Sequence, residues 1–265
     1  MKYELTDQTI RHDGRTLYRI KALKDFSDVA KDELGGFVES YDNLSQRNNC
    51  WIYRYAKVYD NAKVYDNAKV FNDAKVYNNA KVFDNAKVYN NAKVYDNAKV
   101  FDNAEVFDNA EVYDNAQIYG EAQIYGIAEV YSQAQIYGIA QIYGRAEVYD
   151  RAEVYDRAEV YDQAKVYDNA KVFGEAQICA NTIVCSDIKI PNTNDILFIN
   201  LARYITFYRC EDGIRCTIGC QHAITIEEFK ERIYKNGNYT EVTLPKHRKD
   251  YLLAIEFAKK YFRVD

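Results

Sequence analysis

Apolar and polar positions recur with a period of six along most of the chain. From Ala56 the sequence reads Ala56-Lys57-Val58-Tyr59-Asp60-Asn61, then Ala62-Lys63-Val64-Tyr65-Asp66-Asn67, and the phase holds without insertion to Gln177-Ile178. Each unit is small, polar, aliphatic, aromatic, then two turn residues. In an extended strand successive side chains alternate faces, so Ala and Val share one face while Lys and Tyr share the other. The unit predicts a strand of about four residues followed by a corner. A helix fails the same test: at about 100° per residue, a six-residue step moves the valines by about 240° and spreads them around the cylinder. A single sheet of such short strands cannot bury both Ala and Val, whereas coiling buries them.

Three six-residue sides close a triangular turn of about 18 residues, a repeat architecture in which each turn contacts only its neighbours. Val58, Val76, Val94, Val112, Val130, Val148 and Val166 then form one stacked column. Rungs pair in parallel and in register, so exposed strand edges remain only at the two ends of the rod. Roughly 24 hexads make about eight turns, near 38 Å at the interstrand spacing. At the corners, Asp60-Asn61, Asp66-Asn67, Asp84-Asn85 and Asp96-Asn97 put Asn where a left-handed backbone is expected. In Gly126-Ile127, Gly138-Ile139, Gly144-Arg145 and Gly174-Glu175 the permissive residue is expected one place earlier as compensation. Asp150-Arg151 and Asp156-Arg157 fit neither pattern.

The expected organisation is an N-terminal cap over residues 1–49, a hexapeptide coil over 50–191 and a C-terminal α+β cap over 192–265. The first cap should contain a hairpin around His12-Asp13-Gly14, with Thr16 to Ile20 as a strand. After Pro191, Tyr204 to Arg209, the Glu211-Asp212-Gly213 turn and Ile214 to Ile218 read as a second hairpin. Thr225 and Glu228 form a capping box for a helix to about Tyr234, and Lys249 to Phe262 has a helical amphipathic pattern.

A small residue two places before an aliphatic one, followed by turn residues, resembles the hexapeptide-repeat left-handed β-helix superfamily, best known from trimeric acyltransferases. The Gly usual after the aliphatic residue is here Tyr or Phe, the mark of a divergent branch. Asp25-Phe26-Ser27-Asp28-Val29, Gly35-Gly36-Phe37-Val38-Glu39, Asn43-Leu44-Ser45-Gln46 and Cys50-Trp51-Ile52-Tyr53 are similar to bacterial and bacteriophage hexapeptide-repeat proteins that carry transferase or acetyltransferase labels by analogy of fold. The resemblance implies an all-β solenoid, a left-handed parallel β-helix, with a small β cap in front. For an acyltransferase it implies a histidine base at an intersubunit cleft and loops protruding from the coil. No hexad carries an inserted loop, and the only histidines are His12, His222 and His247, all outside the repeat. Without an activated base or nucleophile the expectation is a protein that is not an enzyme and uses no cofactor.

Composition changes this picture little. The 26 Tyr and 12 Phe against 1 Met, 2 Pro and 1 Trp are the repeat itself. A net charge of -5 provides no basic field for nucleic acid. No charged n-region with an apolar run opens the sequence and no stretch of about 18 apolar residues occurs, so a cytoplasmic protein without membrane contact is expected. Six irregularly spaced cysteines fit reduced thiols. Cys210, Cys216, Cys220 and His222 have ligand chemistry for zinc but no Cys-x-x-Cys pair, and structural thiols are the favoured reading. The corner Asp and Asn residues lack the glycine-rich nonapeptide of calcium β-rolls.

The outward face holds the candidate chemistry. Tyr59, Tyr77, Tyr95, Tyr113, Tyr131, Tyr149 and Tyr167 should form one ladder, with Phe71, Tyr89, Phe107, Tyr125, Tyr143 and Tyr161 forming another. Stacking stabilises the rungs, and exposed aromatic area of such length points to a protein partner or self-association. Lys57, Lys63, Lys69, Lys75, Lys81, Lys87, Lys93 and Lys99 fill the polar position first. Glu105, Glu111, Glu129, Glu147, Glu153 and Glu159 then dominate it, among Gln117, Gln123, Gln135 and Gln141. Drift among duplicated units explains such blocks, and so does antiparallel side-by-side pairing that sets the basic block of one rod on the acidic block of its mate. The reading is a protein-binding scaffold and possible homo-oligomer, with a mobile-element decoy or inhibitor of a host complex as one use. The alternatives are an acyltransferase-like enzyme and a carbohydrate-binding rod.

Overall fold

A computed structural model describes residues 1–201, 203–210, 213–218, 221–234 and 244–264. The hexads coil into a parallel β-solenoid of about nine turns, flanked by an N-terminal strand region and a C-terminal sheet with two helices. Its turns are regular, about 18 residues each, as the hexapeptide spacing predicts.

Strands β1 (Tyr3–His12) and β2 (Arg15–Ala22) make the expected hairpin, and β3 (Leu34–Val38) joins it to the coil. Asp13 and Gly14 both adopt positive φ, 46° and 77°, as a two-residue hairpin turn requires. From β4 (Trp51–Ile52) to β27 (Lys189–Ile190) every strand is two residues long, one polar and one aliphatic in all but a few. Three sheets form the walls, and one continues through β3 into the N-terminal hairpin. Rung pairing already begins at β3, where Val38 sits in register with Val58. Val94 lies between Val76 and Val112, and the pattern repeats along the rod. The inward Ala and Val or Ile of the repeat are essentially fully buried. A narrow dry core of this kind leaves no room for a polar side chain that lacks a partner.

The corners correct the sequence reading. The left-handed residue is the first corner position, not the second: φ is 57° at Asp60, 56° at Asp66, 55° at Asp84 and 55° at Asp96. Gly126, Gly138, Gly144 and Gly174 occupy that same position with φ of 73°, 70°, 69° and 66°, so they compensate for nothing. Asp150 and Asp156 follow the rule with φ of 56° and 58°, and the Arg after each is unconstrained by it. Asp and Asn tolerate this region because their short polar side chains bond locally. Here they do more: Asp114 Oδ2 accepts the Ser132 amide at 3.1 Å and Asp168 Oδ2 accepts the Ser186 amide at 2.9 Å, one turn on. The second corner residue donates its own amide onward, as Asn115 does to the Ser132 carbonyl at 2.8 Å.

Both ends of the core are sealed. At the start, Trp51 packs edge-on against Tyr3 and Phe26 at 6.1 and 5.4 Å. The buried Lys2 ammonium donates to the Cys50 carbonyl at 2.8 Å. At the far end a four-stranded antiparallel sheet follows: β28 (Ile196–Asn200), β29 (Tyr204–Cys210), β30 (Gly213–Ile218) and β31 (Gln221–Thr225). Tyr208 is buried against the coil, its hydroxyl bonding the Ile183 carbonyl and Thr217 Oγ1. The helices α1 (Ile226–Tyr234) and α2 (Leu244–Phe262) pack on the sheet, with Phe229, Ile233, Tyr251, Ile255 and Phe262 in a second core. The capping box is present: the Glu228 amide donates to Thr225 Oγ1 at 3.2 Å and the Thr225 amide to Glu228 Oε2 at 2.8 Å. Helix α2 starts five residues before the expected Lys249, and β28 and β31 are additions to the expected hairpin. Among the described residues no helix is long and apolar enough to cross a membrane.

Candidate protein-binding face

Because rungs pair in strict register, residues 18 apart stand above one another, and each wall displays one polar column beside one aromatic column. On the first wall Lys57, Lys75 and Lys93 are followed by Glu111, Glu129 and Glu147, then Lys165. Beside them stand Tyr59, Tyr77, Tyr95, Tyr113, Tyr131 and Tyr149. All twelve candidate residues therefore share a single wall. Lysine returns after the acidic run at Lys165 and Lys171, so the charge pattern is basic, acidic, basic rather than two blocks.

The rings stack almost parallel. Tyr95 and Tyr113 lie 4.9 Å apart between centroids with planes 5° apart, and Tyr113 and Tyr131 lie 4.8 Å apart at 3°. Stacking occupies the ring faces, so the ladder presents ring edges and hydroxyls. This corrects the expectation of contiguous exposed aromatic area: the ladder residues are half-buried, and Tyr59 is 3% exposed. The hairpin tip covers Tyr59, whose hydroxyl donates to Asp13 Oδ2 at 3.1 Å while His12 packs edge-on at 5.2 Å. A third ladder, from Tyr65 through Phe83 and Phe101 to Phe173, escaped the sequence reading although it has the same 18-residue spacing.

Hydroxyls and carboxylates interlock between rungs. Tyr95 donates to Glu111 Oε2 at 2.9 Å and Tyr113 to Glu129 Oε2 at 3.0 Å, each sixteen residues ahead. Burial, with the adjoining carboxylate second, raises the hydroxyl pKa values of Tyr95 and Tyr113. Burial and nearby carboxylates, Glu111 and Glu147 foremost, push Tyr77 and Tyr149 up to about 12. At the block boundaries Lys93 pairs with Glu111 at 2.6 Å and Lys165 with Glu147 at 2.7 Å. Lys75 and Glu129, in the middle of their blocks, have no ion-pair partner among the described residues. Burial, then the neighbouring Lys75 ammonium, lowers the pKa of Lys57.

The other candidate chemistry is dispersed. His12 Nε2 lies 3.4 Å from Asp13 Oδ2, and burial lowers the His12 pKa with Lys75 and Lys57 adding to the effect. His247 stands on α2, in the opposite cap. Cys210 packs toward the coil whereas Cys216 lies in the core under the helices, on the other side of the sheet, with its thiol pushed up to about 12 by burial. Cys220 and the His222 side chain lie outside the described residues. Carboxylates of the Asp60 corner column take the amides of the next turn, as Asp60 Oδ2 does from Asn78 at 3.3 Å.

No protein-family model matches the chain, and no curated protein matches it significantly.

Proposed function

We propose that the protein is a non-enzymatic β-helical scaffold that binds another protein through the first wall. One observation carries the reading: a rigid wall on which three lysines and three glutamates stand at fixed rung spacing, with Lys75 and Glu129 free of ion pairs among the described residues. Fixed charge arrays of this kind select partners by electrostatic complementarity rather than by apolar area. The backbone beneath is tied to both neighbouring turns, so little ordering entropy opposes binding. Occupied ring faces argue against the carbohydrate reading, which requires free faces for stacking. The resemblance to bacteriophage proteins suggests a decoy or inhibitor of a host complex, which would use this wall.

The test compares capture of proteins by the wild-type chain with capture by Lys75→Glu and Glu129→Lys variants and by Lys81→Glu, on another wall. Loss confined to the first-wall variants is expected. Capture indifferent to them would overturn the assignment of the wall, and heat on titration with acetyl-CoA would favour the acyltransferase alternative.

A further inference from the structure

We propose that the first wall pairs with the same wall of a second copy, the two rods lying antiparallel about a two-fold axis that crosses between the rungs of Lys93 and Glu111. The proposal rests on the reading of that wall as the recognition surface, and it names the occupant.

Over the six rungs from Lys57 to Glu147 the charge order is its own inverse complement, and Lys165 lies outside that span. A two-fold axis perpendicular to the rod and in the plane of the interface maps each rung onto the rung equally far on the other side. It sets Lys93 against the partner's Glu111, Lys75 against the partner's Glu129 and Lys57 against the partner's Glu147, each contact occurring twice as in any isologous interface. The polar column meets the polar column, and Tyr95 faces the partner's Tyr113. Lys75 and Glu129, which lack ion pairs among the described residues, acquire each other. A parallel arrangement has no such solution, because its two-fold lies along the rod and lays each polar column on the partner's tyrosines.

The other walls fail the same operation. On the second, inversion about the Lys87 and Glu105 boundary puts Lys69 against the partner's Gln123. On the third, inversion about the Lys99 and Gln117 boundary sets Lys99 against the partner's Gln117 and Lys81 against the partner's Gln135, and only Lys63 meets a carboxylate, that of the partner's Glu153. Self-complementarity is thus a property of one wall in three. Six rungs span about 29 Å, and a wall about 14 Å wide gives at most about 400 Å² per partner, reduced where the hairpin tip covers Tyr59. That is about half of a standard interface, the size of small transient contacts. The expected dimer is therefore weak and strongly sensitive to salt.

Sedimentation of the full chain tests this at about 50 mM and about 500 mM salt. The wild type should dimerise at low salt and weaken about tenfold or more at high salt. Lys75→Glu and Glu129→Lys should each abolish the dimer, since each brings like charges together twice. The double variant should restore it, as should an equimolar mixture of the two single variants, in which every contact is again opposite in sign. Misfolding cannot mimic this pattern: Lys75→Glu breaks the Lys57–Lys75–Lys93 run and Glu129→Lys the acidic run, so each relieves repulsion inside the monomer. The thermal midpoint of Lys75→Glu should equal or exceed the wild type, and that of Glu129→Lys, which gives up the bond from Tyr113 as it relieves the repulsion, should stay close to it. Lys81→Glu, on the third wall, should leave the dimer intact. A wild type that stays monomeric at both salts, or single variants that dimerise unchanged, or a double variant that does not recover, would overturn self-pairing. Capture of a different protein that still depends on Lys75 and Glu129 would leave the wall as a recognition surface and remove only the second copy.

Discussion

A substitution pair at one corner tests which of the two turn residues carries the left-handed backbone. Asp114 has φ of 56°, whereas Asn115 is outside the positive region. Asp114→Val places a β-branched residue where an L side chain costs about 1–2 kcal/mol. It also deletes the 3.1 Å bond from the Ser132 amide to Asp114 Oδ2, worth about 1 kcal/mol. The sum is about 2–3 kcal/mol. Asn115→Val keeps the 2.8 Å backbone bond to the Ser132 carbonyl and changes only an exposed side chain, so a cost within about 0.5 kcal/mol follows. Asp114→Gly loses the carboxylate bond but not the conformational preference, and should fall between the two. Urea unfolding followed by circular dichroism measures all three, with an unchanged slope as the check that the denatured state is comparable. Equal losses at the two positions, or a larger loss for Asn115→Val, would refute the assignment of the corner.

Three further outcomes follow from the ladders and the thiols. Tyr113→Ala removes two stacking contacts and the bond to Glu129, for a loss of about 1–3 kcal/mol, while Tyr113→Phe keeps the stack and should cost under about 1 kcal/mol; thermal melts giving equal losses would count against the stack as the stabilising element. With folded Tyr77 and Tyr149 hydroxyls raised to about 12 against an unfolded value of about 10, the folded state holds protons that the unfolded state releases. Their contribution is complete below about pH 10 and declines as pH rises toward 12, so tyrosinate absorbance should grow together with loss of circular dichroism; early tyrosinate in an intact fold would contradict this. Burial raises the thiol pKa of Cys50, Cys185 and Cys216, and a thiol reagent at about pH 8 should spare these three until the protein is denatured; rapid labelling of any of them would show the cap or corner around it to be open.

Much of the shaft was legible because side-chain alternation and a six-residue step leave one way to bury Ala and Val together. Writing the chain in lines of 18 also exposes the columns, and the third ladder and the returning Lys165 and Lys171 were readable that way. The corner was misassigned because Asp and Asn both accept the left-handed region, and their order alone does not say which adopts it. The glycines held the missing signal: Gly126 and Gly138 share the position of Asp60, which is informative once the first place is seen as the constrained one. Beyond Pro191 no repeat constrains the pattern, and β28 was missed because a short apolar strand is defined by its partner, here Tyr204–Cys210.

The sequence by itself determined the inward and outward sides of every rung and the succession of charges along the rod, since both depend only on local alternation and order. Tertiary structure decided what is accessible. Ring faces close against one another, the hairpin tip buries Tyr59, and Lys75 and Glu129 have no ion pair among the described residues while Lys93, Glu111 and Glu147 do. These depend on distances between residues 16, 18 or 46 places apart, which strand alternation does not specify until the coil has closed.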